Sequence, residues 1–180
     1  MLAVSIGAHV KEWSTIRFGV DPSYPPFESK VPDGSLVGFD IDIGNELCRR
    51  LNAKCMWIEN VFDGMIPGLK SRKFKSRKFD GVLSTISMTP ARVKQIAFTV
   101  KLFHVPTRLV AKSGSGIQPT AEGLMGKSVG VEQGSMQKTY AKAHWGAKGM
   151  TVVSYADQDQ VYADLLSGRL DASLQNAVQA

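Results

Sequence analysis

Short runs rich in β-branched and aromatic residues alternate with stretches whose apolar positions recur at helical spacing, and the pattern stops and restarts once along the chain. In the first half the pattern predicts a strand at 16–20 and an amphipathic helix at 39–51, with Ile41, Ile43, Leu47 and Leu51 as its apolar positions. A strand at 54–59, a short helix at 64–69 and a strand at 81–84 follow. In the second half it predicts strands at 107–111 and 128–131, a helix at 135–144, a strand at 151–155, a helix at 157–167 and a last strand at 171–174. The segment 113–119, rich in Gly, Ser and Pro, reads as a loop. A βαβαβ order implies a parallel sheet joined by crossover helices. The restart divides the chain into two α/β lobes, 11–103 and 107–180, with a crossing at 104–106.

The 180 residues are enough for one ordinary domain or two small ones, and 43% hydrophobic with 21% charged residues excludes disordered and fibrous classes. The net charge of +6 and pI near 9.4 raise the question of an acidic partner. Much of that charge is local: the unit KSRKF is written twice in tandem from Lys70 to Phe79, and one copy carries three cations, so without it the net charge is +3. A single short basic run lacks the aromatic platform and the broad basic face of a nucleic-acid binder, and a solvated loop is the expectation. The start, MLAVSIGAHV, resembles the end of a secretory signal without its basic leader, so 1–10 is expected to be a signal remnant. It falls far short of the ~20 apolar residues of a membrane span. Cys48 and Cys55 are the only thiols; in an exported chain an even count favours a disulfide, with two buried free thiols as the alternative.

Ligands of open parallel sheets bind outside the carboxyl ends of the strands. Those ends carry Asp21 and Tyr24 after the first strand, Phe62 after the second, and Ser84, Thr85 and Ser87 after the third, with Arg92 close behind. Hydroxyls, helix-start amides and a guanidinium fork together suit a carboxylate. Taken singly, Ser87 or Thr89 reads as a helix cap and Arg92 as a partner for a surface acid. Catalytic signatures are weak. His9, His104 and His144 are scattered, with no metal-site or triad spacing, and the glycines at 64–68 have the wrong spacing for a phosphate loop. No cofactor and no metal are implied.

Five stretches, GVDPSYPPF (19–27), GFDIDIGNE (38–46), FDGMIPGL (62–69), STISMTPAR (84–92) and GRLDA (168–172), resemble the periplasmic polar amino-acid-binding proteins of bacterial ABC importers, nearest to the lysine/arginine/ornithine and histidine binders. The resemblance runs from about residue 11 to the end. It implies a type II periplasmic-binding-protein fold, mostly parallel sheets in two lobes, a periplasmic location and a Cys48–Cys55 disulfide. It also implies capture of a free basic or polar amino acid, with delivery to an inner-membrane permease and ATPase. By position, Arg92 clamps the ligand carboxylate with Ser84, Thr85 and Ser87. Tyr24 and Phe62 sandwich its side chain, adding cation–π attraction to a cationic one, while Asp21 pairs with its distal charge and Gln137 reaches toward the same group.

The chain departs from the family pattern in four places. Met136 stands where a threonine is usual, leaving the backbone amide as the binding group. Asn176 stands where an aspartate usually meets the ligand ammonium. A bond to a charged group is worth about 1.5–3 kcal/mol against roughly 0.5–1.5 for a neutral one, so binding about tenfold weaker is expected. The second KSRKF adds five residues as a longer loop or one more helical stretch. Family members run on past the position of Ala180, so a first lobe without its return elements is expected. With them missing, hinge definition suffers and exposed apolar surface invites pairing or aggregation in place of the family's monomer. The alternatives are a relative that binds little or no ligand, or a dehydratase-like enzyme on the same fold.

Overall fold

The computed structural model describes residues 13–71 and 78–180. The signal-like start, His9 and most of the KSRKF repeat, including the choice between loop and helix, lie outside the described residues.

The first lobe is built on strand β1 (Thr15–Val20), whose alternation buries Ile16, Phe18 and Val20. Two-residue and three-residue strands β2 (Ser23–Tyr24), β3 (Glu28–Lys30) and β4 (Leu36–Val37) then form a small antiparallel sheet in the order β2-β3-β4. Helix α1 (Phe39–Arg50) starts after Gly38, whose φ of +128° and whose approach to the Phe27 carbonyl leave no room for a side chain: a Cβ there would sit 2.3 Å from that oxygen. Asp40 and Asp42 in the first turn and Arg49 and Arg50 in the last complement the helix dipole. Strand β5 (Lys54–Glu59) lies parallel to β1, pairing Phe18 with Trp57, and the two rings are 5.3 Å apart. A disulfide joins Cys48 on α1 to Cys55 on β5, with a Cα separation of 5.7 Å. Helix α2 (Met65–Lys70), strand β6 (Gly81–Val82) and the short helix α3 (Pro90–Val93) follow, and the main sheet has the parallel order β5-β1-β6.

Two expectations for this lobe are corrected. The third strand is two residues long, because the chain leaves the sheet at once to bring Ser84 back to β1, where its hydroxyl accepts from the Asp21 amide at 2.9 Å. The inward face of α1 is Ile41, Gly44 and Cys48, while Leu47 and Leu51 point to solvent. The disulfide sets that rotation by holding Cys48 against the sheet.

The second lobe holds β7 (Thr107–Ala111), β8 (Ser128–Glu132), α4 (Met136–His144), β9 (Thr151–Tyr155), α5 (Gln158–Leu166) and β10 (Ala172–Asn176). Its strand order is β7-β10-β8-β9. Both helices begin at a side-chain cap: Ser135 accepts from the Lys138 amide and Asp157 from the Gln160 amide. The core is one cluster of Leu124, Val129, Val131, Ala141, Trp145, Met150, Ala172 and Leu174, each large aliphatic side chain contributing about 1.5–3 kcal/mol on burial. The sheet is mostly parallel, and the exception is β7, which runs antiparallel to β10. That pairing returns the end of β10 to the interlobe crossing, where the Ala177 amide donates to the Pro106 carbonyl at 2.8 Å.

Candidate ligand-binding cleft

The strand ends of the two lobes face one another across a narrow cleft lined from both sides. All ten residues singled out in the sequence line it: Asp21, Tyr24, Phe62, Ser84, Thr85, Ser87 and Arg92 from the first lobe, Met136, Gln137 and Asn176 from the second. Glu28, Glu132 and Ser135 line it too and were not singled out.

Arg92 owes its place to the Thr89 cap of α3, with Pro90 at the first helical position. Its guanidinium donates to the Ser87 carbonyl at 2.9 Å and, across the cleft, to the Gly134 carbonyl at 2.9 Å, while its carbon lies 5.4 Å from the centre of the Phe62 ring. Two of its five donors are thereby used, and among the described residues no acid of the first lobe forms an ion pair with it. Further bonds cross between lobes, among them Gln133 to Asp63 at 3.2 Å and the Gln158 amide to the Ser23 hydroxyl at 3.3 Å. The cleft is thus closed.

Asp21 is held on both oxygens, one accepting from the Ser23 amide and hydroxyl, the other from the Phe62 amide at 2.7 Å. Ser84 donates to Glu28 at 3.0 Å, and the Thr85 amide donates to Asp40 at 2.8 Å, holding Thr85 at a φ of +44°. On the second lobe Asn176 accepts from Gln137 at 2.8 Å. Met136 takes the first position of α4, so its side chain offers no hydroxyl beside the helix-start amides.

Acids dominate the electrostatics. Burial raises Glu28 to about 10, with help from the neighbouring Asp40 charge and against the Ser84 and Thr85 hydroxyls. Burial, then Asp21 and Asp157, lifts Glu132 to about 8 against the pull of Arg92. Asp21 and Asp40 are raised by burial as well, and burial lowers Arg92. The cleft therefore offers one guanidinium for an anion and an excess of carboxyl groups for cations. Neither His104 nor His144 lines it, and His144 packs at a tilt against Tyr140 with ring centres 4.3 Å apart. Among the described residues no group of three or more His, Cys, Asp or Glu is arranged to hold a metal ion, and no helix is long and apolar enough to cross a membrane.

Glu28 and Glu132 escape sequence reading because a glutamate in or near a strand carries no signal of its burial. Ser135, which falls at the start of the expected helix at 135–144, is its N-cap.

Two α/β lobes closed over a polar cleft at their strand ends define the architecture of a solute-binding protein. The chain belongs to the bacterial extracellular solute-binding proteins, family 3, whose profile matches residues 16–179. It is 51% identical over 166 residues to the lysine/arginine/ornithine-binding periplasmic protein of Escherichia coli K12, covering 92% of this chain and 62% of that protein. It is 50% identical to the histidine-binding periplasmic protein of the same strain, with the same coverage of each chain. Among solved structures, an ancestral arginine-binding protein bound to arginine superposes with a TM-score of 0.86 at 32% identity, covering 93% of this chain and 72% of that one. The chain thus spans about 62% of the length of these curated relatives.

Proposed function

We propose that this chain is the substrate-binding component of an amino-acid ABC importer, working in the periplasm. It captures a free basic or polar L-amino acid between its lobes and presents it to an inner-membrane permease and ATPase. The lobes, 11–103 and 107–180, rotate about the crossing at 104–106. The observation that carries this reading is Arg92, a half-buried guanidinium with donors to spare, set opposite a group of buried acids in one closed cleft. That is the charge pattern of a zwitterion's complement.

In this reading Arg92 takes the carboxylate in bidentate fashion, helped by the hydroxyls of Ser84, Thr85 and Ser87 and by the amides of Met136 and Gln137 at the start of α4. Asn176 accepts from the α-ammonium while Gln137 steadies it. Tyr24 and Phe62 flank the side chain, and Asp21 meets its distal end. No bond is made or broken. In this reading the protein is a receptor and performs no chemical step. The test is a thermal-shift titration with arginine, lysine, ornithine and histidine. A ligand at a hundred times its Kd adds about 2.7 kcal/mol, a rise of roughly 5–10 °C for a chain of this size. A transition that none of the four moves contradicts the reading.

A further inference from the structure

Five acids lie in or beside the cleft, and four of them are engaged by the protein itself. Asp21 accepts from Ser23 and Phe62, Glu28 from Ser84 and Thr85, Asp40 from Thr85, and Asp157 from Gln160. Glu132 is different. It sits at the end of β8, only 6% exposed, and its side chain lines the cavity. Among the described residues no hydrogen bond or ion pair reaches its carboxyl group; only its main-chain carbonyl is used, by Ser135. A carboxyl group that opens on a cavity and has no protein partner keeps its hydrogen-bonding capacity for what enters that cavity.

We infer that Glu132 is a specificity-determining residue: with Asp21 on the opposite lobe it seats the distal ammonium or guanidinium of a basic amino acid, so that the ligand's own cation ties the lobes together. This rests on the proposed receptor function and narrows its ligand to a dicationic amino acid. The charged and titratable groups facing Glu132 are Asp21 at the end of β1, Asp157 at the start of α5, Tyr24 on β2, Tyr162 on α5, and Arg92. Arg92 is the sole cation among them, and it is directed to the ligand carboxylate. Closing the lobes on a neutral side chain leaves Glu132 protonated and without a partner beside Asp21. Closing on a cation turns the same pair into two charge-assisted contacts. Asn176, being neutral, leaves the ligand short of one counter-charge at its ammonium, and Glu132 makes up that shortage at the other end.

A consequence follows for protons. With the cleft empty, Glu132 keeps its proton through neutral pH because burial raises it to about 8. An arriving cation displaces that proton, so arginine binding at pH 7 releases protons to the buffer.

The experiment is isothermal titration calorimetry of the full chain at pH 7 with L-arginine and with L-citrulline, its uncharged near-isostere, in two buffers of different ionisation enthalpy. The wild-type chain is expected to prefer arginine by about tenfold or more and to release protons on binding it. Glu132→Gln is expected to cut that preference by about tenfold and to abolish the difference in proton release between arginine and citrulline. An unchanged arginine-to-citrulline ratio in Glu132→Gln overturns the inference and leaves the receptor reading standing. So does equal proton release with the two ligands in the wild-type chain, a measurement that needs no variant to fold. If the wild-type chain binds neither these two nor lysine, ornithine or histidine, the receptor reading itself falls, and this inference with it.

Discussion

Arg92 reaches across the cleft to donate to the main-chain carbonyl of Gly134 at 2.9 Å, while its other terminal nitrogen donates to Ser87 in its own lobe at 2.9 Å. One side chain thus joins the two lobes and holds its remaining donors toward the cavity. The bond to Gly134 ties carboxylate recognition to closure, because a guanidinium moved away from the ligand also releases the second lobe.

Arg92→Ala is expected to weaken amino-acid binding by about 10-fold to 100-fold, the worth of a charge-assisted contact. Arg92→Lys is expected to recover little of it, since an ammonium cannot span Ser87, Gly134 and a carboxylate together. Calorimetric titration with arginine checks both; affinity near the wild-type value in Arg92→Lys speaks against the bidentate clamp.

Gly134→Ala probes closure without removing a charged group. The residue has a φ of +80°, and a Cβ there would lie 2.5 Å from a carboxylate oxygen of Asp63 in the other lobe. The lobes must part to admit it. Small-angle scattering at saturating arginine is expected to show a larger radius of gyration than the wild type. Gly168→Ala, with a φ of +77° and open space around its Cβ, is the control: it costs about 1 kcal/mol of backbone strain and leaves the radius unchanged.

Buried carboxyl groups set the pH response of the ligand-free chain. Glu28 and Glu132 are raised to about 10 and about 8, whereas an unfolded glutamate titrates near 4.3. Between those limits the folded chain holds protons that the unfolded chain has released, so raising the pH favours unfolding. The stabilising effect of these two groups is fully present below about pH 4 and is lost as the pH passes their folded values. Their share of the melting temperature is expected to fall steadily from pH 5 to pH 9, and Glu28→Gln is expected to flatten the fall. A profile equally steep in that variant contradicts the assignment.

Asn176→Asp restores a charge where the family pattern has one. Asn176 already accepts from Gln137 at 2.8 Å, and a carboxylate preserves that bond while adding attraction for the ligand ammonium. Affinity for arginine is expected to rise by about tenfold at pH 8, read by competition against the wild-type chain. Unchanged or weaker binding places the ammonium elsewhere.

Much of the architecture is legible without coordinates, and the exceptions have physical causes. β5, β7 and β9 match their expected ranges because each is a β-branched or aromatic run ended by a turn or a change of period. The small β2-β3-β4 sheet is not legible, since strands of two or three residues are too short to show alternation. The antiparallel pairing of β7 with β10 depends on where the chain crosses between lobes, and no local pattern records that. Within the cleft, strand-end positions and the family resemblance pointed to Asp21, Tyr24, Phe62 and Arg92. Glu132, at the end of β8, carries no local signal of its place in the cleft. Its significance comes from burial and from the absence of a protein partner, which belong to the fold and not to the residue.

Equilibrium dialysis of labelled L-arginine against the full chain at neutral pH is the most direct measurement. The account predicts saturable retention of one arginine per chain, displaced by lysine and ornithine and less well by citrulline. Label distributed equally on both sides of the membrane at protein concentrations of about 100 μM, a Kd above the millimolar range, contradicts the claim that this cleft captures an amino acid.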